Sequence, residues 1–441
     1  MAMTMDVKKL IFKNDFATFA LLWLALVLPF VALSAVFGWG PNGWYNNWLL
    51  GIGQEWSKYG VMNIWTPYSQ TTNLLFYGMY LITGGNAVLF WLLFIVVNLI
   101  SYLAIIFCIY SIAKKIYGRT YAKRVTFILI ILCTFMFYAY GNTTYDAIPV
   151  AIMILSIYFL FHERYISSAF VAGFGGGIKI FPLVGFLMLL KQLYHKQKVK
   201  LMLKCLGACL LGLAPLFVFL ATNPPMFASG YLWQAGAPTN ETVYSFSLWL
   251  ANVSPNADPR FYTDLSGTVP DSYLKVGITP SPTIMHSSVS LPPTSVAMFV
   301  PTLVMLVVLL SILYVFFRVK HFDKRGIFIL TLFILAPFLA STKQWSPQYF
   351  LWIMPLMLLW KPQRAGQILT IGLTLLVLLG FPVSHWLYST TGLQFFAGVF
   401  WVSVVLRTII LAAISLFVYF GDIRGKNKWK LEKLKIVHLT S

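Results

Sequence analysis

Two isolated cations in otherwise apolar stretches are the first candidates for chemistry. Lys179 lies in AGFGGGIKIFPL, between two short apolar segments, and Arg407 lies near the middle of WVSVVLRTIIL. A charged side chain at membrane depth is costly, so it indicates a function such as binding an anion. The alternatives are that Lys179 extends to the membrane interface and that Arg407 pairs with an acidic residue. Both residues are candidates for contacting a phosphate group.

The sequence around Lys179 predicts a break between two helices. Three glycines at 175–177 free the backbone, and Pro182 cannot continue a helix towards its N-terminal side. Backbone N–H groups at such a break, together with a lysine, are donors that suit a phosphate.

Carboxylates are scarce among the segments that could surround these cations. Glu55 is the only carboxylate of the first polar loop, 39–85, and Asp146 lies in GNTTYDAIPV, immediately before an apolar stretch. A carboxylate within reach of a hydroxyl group can act as a general base. The alternatives are an exposed loop carboxylate for Glu55 and a favourable charge at a helix N-terminus for Asp146.

A polar turn late in the chain carries two further candidates. The segment STKQWSPQYFLW contains Lys343 and Gln348 among several amphipathic aromatic residues. Such a turn suits a polar headgroup, and it equally suits the aromatic belt at a membrane surface.

The composition predicts that a membrane surrounds these residues. Of the 441 residues, 59% are hydrophobic and 10% are charged, with a mean hydropathy of +0.78. Soluble domains have roughly a quarter of their residues charged. These values exclude a disordered chain, and they exclude a nucleic-acid binder despite the net charge of +20. We predict an all-α, polytopic bundle of about 12 spans (roughly 10–13), because each span needs about 20 apolar residues.

The predicted organisation is a single membrane domain over residues 1–441. Its outer parts are a first loop with interfacial helices at 39–85, including one at 70–84, and a large loop at 223–295. A basic cytoplasmic tail occupies 421–441. The predicted spans are 16–38, 86–113, 125–140, 147–161, 166–176, 180–190, 202–222, 296–317, 327–340, 348–360, 366–384 and 395–420. The spans within 166–190 and at 348–360 are short, so they must be buried in the bundle or line a water-filled cavity.

The distribution of basic residues predicts the orientation. With both termini in the cytoplasm, 26 of the 32 Lys and Arg residues lie in cytoplasmic segments. Short cytoplasmic loops collect such residues. We therefore expect a multi-pass protein of the plasma membrane, or of the endoplasmic reticulum in a eukaryote, that lies in a lipid bilayer with loop 191–201 inside.

Three segments together resemble a known family. GNTTYDAIPVAIMILSIYFL, followed by a short basic turn and AGFGGGIKIFPL, resembles a succession found in polyprenyl-phosphate-dependent glycosyltransferases of the GT-C superfamily. STKQWSPQYFLWIMPL is similar to their late turn, and the segment that begins at GWYNNWLL resembles their first outer loop. The nearest parallels are the mannosyltransferases of family 87 and those similar to GPI mannosyltransferase I.

The resemblance implies a GT-C-like fold and an activity. A hexose, mannose or glucose, would pass with inversion from a polyprenyl-phosphate donor to a lipid-linked or glycan acceptor on the outer face. Glu55 would be the general base, Asp146 would orient the acceptor or a loop, and aromatic residues of the first loop would stack on sugars. No cofactor is implied, although a divalent metal stays open. The candidate substrate-binding residues are Asn42, Tyr45, Lys179, Lys343, Gln348 and Arg407.

One departure from the family keeps other functions open. Asn42 stands where the family carries an acidic residue, and an amide cannot take up a proton as a base. Either Glu55 or Asp146 has taken over that role, or the alignment is shifted, or the protein is an inactive subunit. The principal alternative is a transporter or flippase of a lipid-linked sugar, which would use the same buried cations.

Overall fold

The structure is a computed structural model, and it describes most of the chain. The residues described are 15–38, 44–60, 64–65, 68–141, 144–224, 227, 242, 244, 279–280, 295–319, 324–342, 345–361 and 363–424. At 44–46, 48, 59, 64–65, 279–280, 295–299, 385, 389 and 424 the description covers the backbone alone.

Helices make up nearly all of the described chain, which confirms the predicted helical class. The earlier helices are α1 (Asp15–Val36), α2 (Trp44–Tyr59), α3 (Gln70–Thr83), α4 (Ala87–Tyr117), α5 (Arg119–Met136), α6 (Ala147–Phe161), α7 (Tyr165–Ile178) and α8 (Leu183–His195). The later helices are α9 (Val199–Gly212), α10 (Ala214–Thr222), α11 (Ser295–Arg318), α12 (Lys324–Ser341), α13 (Met354–Trp360), α14 (Arg364–Leu378), α15 (His385–Thr391) and α16 (Gln394–Phe417).

Short irregular elements complete the description. A 3₁₀ turn at Pro347–Trp352 precedes α13, and π-helical turns at Phe137–Gly141, Leu379–Ser384 and Val418–Arg424 follow α5, α14 and α16. Two strands of two residues each, β1 (Ile64–Trp65) and β2 (Thr279–Pro280), pair in parallel.

The long helices are membrane spans by length and apolar composition. Within the described ranges seven helical stretches qualify, and the bent pair of α9 and α10 makes an eighth. The seven are Asp15–Val36, Ala87–Tyr117, Arg119–Gly141, Val300–Arg318, Lys324–Ser341, Arg364–Tyr388 and Gln394–Ile423. The protein is therefore a multi-pass helical membrane protein. The total of about 12 spans stays a prediction, since α6, α7 and α8 are apolar but shorter than a full span.

Three of the predicted spans are interrupted. The stretch predicted at 202–222 bends by 61° between α9 and α10, because Pro215 cannot join the hydrogen bonding of α9. The stretch predicted at 348–360 is a 3₁₀ turn followed by α13. The stretch predicted at 366–384 leaves helical geometry at Phe381, next to Pro382.

The predicted break around Lys179 is confirmed, but its glycines have a different role. The helices end at Ile178 and resume at Leu183, so the glycines at 175–177 lie inside α7. A Cβ atom on Gly177 would lie 2.8 Å from the Thr71 hydroxyl oxygen. The glycines therefore allow neighbouring elements to approach closely, as small residues do in membrane helix packing.

The short helix α6 joins two regions that contain ionisable residues. Asp146 immediately precedes α6, and His162 immediately follows it. Fifteen helical residues separate them, which corresponds to about 22 Å at 1.5 Å per residue. We call these two regions the Asp146 end and the His162 end.

Candidate functional site

The segment that leads into the Asp146 end is fixed by a buried asparagine. The Asn98 amide on α4 donates to the carbonyl oxygens of Gly141 at 3.0 Å and Thr144 at 3.2 Å. Asn98 is fully buried. These bonds satisfy carbonyl groups that the end of the preceding helix leaves free, and they set where the chain turns into α6.

The break after α7 is held by the helix of the first loop. Ser69, the N-cap of α3, donates its hydroxyl to the Ile178 carbonyl oxygen at 2.9 Å, and Thr72 donates to the same oxygen at 3.0 Å. Lys179 then has extended backbone geometry. The end of α7 is thereby anchored, and the Lys179 side chain is directed from a fixed point.

Lys179 and Asp146 form an ion pair. The Lys179 ammonium lies 2.6 Å from Oδ1 of Asp146, and the Trp352 indole N–H donates to the same oxygen at 3.2 Å. The Asp146 side chain is 3% exposed and that of Lys179 is 18% exposed. A buried carboxylate requires such compensation, and here it receives one charged and one neutral donor.

Aromatic rings enclose the lysine of this pair. The Lys179 nitrogen lies 4.7 Å from the ring centroid of Tyr145, 4.9 Å from that of Tyr349 and 5.6 Å from that of Trp352. Trp352 also stacks on Phe181 at 3.8 Å. The rings favour a cation electrostatically. The site is thus a cage assembled from three separate segments of the chain.

Arg407 adjoins this cage through a second tryptophan. Its side chain on α16 is 3% exposed, and its guanidinium lies 4.5 Å from the Trp345 ring centroid. The Trp345 ring meets that of Tyr349 edge to face at 6.2 Å. Gln348 lies in the same 3₁₀ turn as Tyr349 and is half-buried. Four of the sequence candidates, Asp146, Lys179, Gln348 and Arg407, therefore belong to one region.

The remaining candidates are placed less closely or lie outside the described residues. Glu55 is half-buried on α2, which packs against α3, and α3 in turn holds the end of α7. Within the part of the chain that the structure describes, no ion pair joins Glu55 to a cation. Asn42 and Lys343 lie outside the described residues, and only the backbone of Tyr45 is described, at the start of α2.

The residues that sequence reasoning missed are those that surround the ion pair. Tyr349 and Trp352 lie in STKQWSPQYFLW, the same segment that contains the candidates Lys343 and Gln348. The polar turn could therefore have indicated these two aromatic residues as well. Tyr145 precedes Asp146 directly. The only indication for Asn98 in the sequence is that it is a polar residue within a long apolar stretch, which suggests a buried hydrogen-bond partner.

The site contains an ion pair, Asp146 and Lys179, whose opposite charges compensate each other. The Asp146 side chain is enclosed, whereas the Lys179 side chain keeps some exposure. Among the described residues no group of three or more His, Cys, Asp or Glu side chains is arranged to hold a metal ion.

Comparison with known proteins adds no relative. No protein-family model, curated protein or solved structure matches the chain. Its fold and site define a class only: a multi-pass helical membrane protein in which an aromatic cage holds a buried Asp–Lys pair.

Proposed function

We propose that the protein is a membrane glycosyltransferase with a GT-C-like fold of about 12 spans. It would transfer a hexose, mannose or glucose, with inversion from a polyprenyl-phosphate donor to a lipid-linked or glycan acceptor. Both termini would be cytoplasmic, and the Asp146 end would face the outer side. The observation that supports this best is the caged ion pair of Asp146 and Lys179.

The leaving group of this reaction explains why a caged lysine would be useful. When the sugar–phosphate bond breaks, negative charge develops on the departing lipid phosphate, and a fixed cation stabilises it. Asp146 and the three rings hold the Lys179 ammonium in place before the substrate arrives. Its accessible side would contact the phosphate, and Arg407 would add positive potential from the other side of Trp345 and Tyr349.

The acceptor hydroxyl needs a general base, and Glu55 is our first candidate. Oδ1 of Asp146 already accepts bonds from Lys179 and Trp352, which favours a positioning role for Asp146. Glu55 has no such partners among the described residues, and its helix α2 packs on α3, which anchors the end of α7. Glu55 and the acceptor would then approach from the first loop, while the donor phosphate lies against Lys179.

A transporter of a lipid-linked sugar is the second candidate. The observation that favours it is the presence of two interrupted helices, namely the break between α7 and α8 at the site and the 61° bend between α9, which packs against α7, and α10. Transporters use such discontinuous helices at their binding sites. The ion pair would then bind the donor phosphate without any transfer of the sugar.

The deciding experiment is incubation of the purified protein with radiolabelled polyprenyl-phosphate mannose or glucose and candidate acceptors. We expect label to move to an acceptor. Glu55→Gln should lower turnover by about 10²- to 10⁴-fold, because it removes the proton acceptor, and should leave the apparent donor affinity near that of the parent. If Asp146→Asn abolishes turnover while Glu55→Gln does not, the base is Asp146. If the donor binds but no sugar is transferred, the transporter is the better account.

A further inference from the structure

The His162 end of α6 carries a group of cations around one buried ring. The Lys115 ammonium, at the end of α4, lies 5.4 Å from the Phe161 ring centroid. The Lys324 ammonium, at the start of α12, lies 5.3 Å from the same centroid. Phe161 is 1% exposed. Two like charges from distant parts of the chain are thus brought to a single aromatic side chain.

Further basic groups adjoin these two lysines. Burial lowers the pKa of His162, and the positive charges of Lys115, Arg164 and Lys324 lower it further. Those three side chains therefore act on the imidazole from α4, from the turn after α6 and from α12. Nε2 of His162 and Nε of Arg325 are both enclosed, and neither has a hydrogen-bond partner among the described residues.

The carboxylates nearby are already engaged. Asp15 accepts from Arg119 and Lys123, at 2.6 and 2.9 Å. Glu163, next to His162, lies 3.4 Å from the Lys196 ammonium, and Lys196 holds the pKa of Glu163 below its usual range. Within the described ranges no ion pair is formed by Lys115, Lys324 or Arg325.

The start of α12 makes this arrangement more costly. Lys324 and Arg325 occupy the first turn of α12, and no acidic residue lies within that turn; Asp323, which precedes it in the sequence, lies outside the described residues. The N-terminus of a helix carries partial positive charge, so cations in that turn are unfavourable and an anion is favourable. A bound anion would compensate the helix end and the lysines at the same time.

We propose that the His162 end binds a phosphate group, with Lys115 and Lys324 as its principal contacts. Arg325 and His162 would supply the remaining donors. The phosphate belongs to an anionic phospholipid headgroup or to a soluble phosphate ion. This site does not depend on the proposed sugar transfer, because it lies at the opposite end of α6 from Lys179.

Binding to purified protein in detergent tests the proposal, with affinities measured by native mass spectrometry. The probes are phosphatidylglycerol, phosphatidylcholine as the zwitterionic control, and inorganic phosphate. The test variant is Lys115→Ala/Lys324→Ala. The matched control is Lys200→Ala/Lys204→Ala, which removes two exposed lysines from α9. A variant Lys115→Arg/Lys324→Arg keeps both positive charges. A loss of affinity in this variant would indicate misfolding rather than loss of charge.

We expect phosphatidylglycerol to bind more tightly than phosphatidylcholine. The test variant should lose at least about ten-fold in affinity, since one lysine near an anionic headgroup contributes about five-fold. The control and the arginine variant should stay within about two-fold of the parent. If inorganic phosphate binds with the same dependence on Lys115 and Lys324, the ligand is a soluble phosphate. Equal losses in the test and control variants, or none in either, would overturn the proposal.

A second readout distinguishes a bound phosphate from general surface charge. An anion beside Lys115 and Lys324 favours the protonated imidazole, so the probe that binds should raise the pKa of His162. The titration can be followed by NMR of histidine-labelled protein. In Lys115→Ala/Lys324→Ala the probe should leave the pKa of His162 unchanged. The same upward shift in that variant would contradict the site.

Discussion

Both ends of α6 place lysine ammonium groups near aromatic rings, but in the part of the chain that the structure describes only the Asp146 end pairs its lysine with a buried carboxylate. At each end lysine ammonium groups lie about 5 Å from aromatic rings. At the Asp146 end a buried carboxylate meets the lysine at 2.6 Å. At the His162 end Lys115 and Lys324 form no ion pair among the described residues, although the charge of Lys324 acts on the nearby Glu163.

The carboxylate, and not the ring, therefore distinguishes the two regions. With Asp146 the Lys179 charge is compensated before any ligand binds, so the pair is a rigid, prepared element. At the His162 end Lys115 and Lys324 form no ion pair within the described ranges, so their like charges repel each other until an anion binds. The first arrangement suits chemistry on a substrate, and the second suits reversible binding of a phosphate.

Breaking the ion pair should have the largest effect on stability. Lys179→Ala leaves the Asp146 carboxylate buried without its charged partner, and Asp146→Ala does the reverse. We expect each to lower the free energy of unfolding by about 3–5 kcal/mol, as measured by denaturant unfolding in detergent. The double variant should lose much less than the sum of the two. Additive losses would mean that the two residues do not interact.

The opposite end provides the contrast for that measurement. Lys115→Ala removes one of several like charges, so we expect its free energy of unfolding to equal or exceed that of the parent. A loss comparable to that of Lys179→Ala would show that Lys115 has a carboxylate partner, and would remove the distinction between the two ends.

The second donor to Asp146 should have an intermediate effect. Trp352→Phe keeps a ring beside Lys179 and Phe181 but removes the indole N–H bond to the carboxylate. A bond to a charged group contributes about 1.5–3 kcal/mol. Trp360→Phe is the matched control, because Trp360 donates to Asp422 at 2.8 Å. Both variants should lose similar stability in thermal unfolding, but only Trp352→Phe should also slow sugar transfer.

The smallest effect concerns pH at the His162 end. The pKa of His162 is below its ordinary value of 6.5 in the folded protein, so the unfolded chain binds the proton more readily. The stability that the neutral imidazole contributes is present above pH 6.5 and is lost as the pH falls towards the folded value. His162→Gln should flatten this dependence in pH-dependent thermal unfolding. Unchanged pH dependence in that variant would show that another group is responsible.

Part of this account could be predicted from the sequence. The apolar composition and the length of the apolar stretches predict the helical class, and the isolated charges of Lys179 and Asp146 indicate candidate site residues. The pairing of Lys179 with Asp146 could also have been predicted. The two short apolar stretches between them, now α6 and α7, form a helical hairpin that returns residue 179 to the end where residue 146 lies.

The rest depended on contacts between distant parts of the chain. Trp352 reaches Asp146 across 206 residues, and no local pattern encodes that approach. The glycines at 175–177 are compatible with a loosened loop and with close helix packing, because both need a residue without a side chain. The grouping of cations around Phe161 could not be predicted either. The distribution of basic residues predicts the side of the membrane on which they lie, but not which of them are neighbours in the fold.

The most direct test of the proposed function is the rate of hexose transfer by Lys179→Gln. This variant keeps a polar side chain but has no charge to stabilise the departing phosphate. Removing one preorganised donor of this kind typically costs about 10²- to 10³-fold in turnover. We predict a loss of that size in kcat/KM for the labelled polyprenyl-phosphate donor, with Lys200→Gln equal to the parent. A Lys179→Gln protein that transfers sugar as fast as the parent would contradict the account.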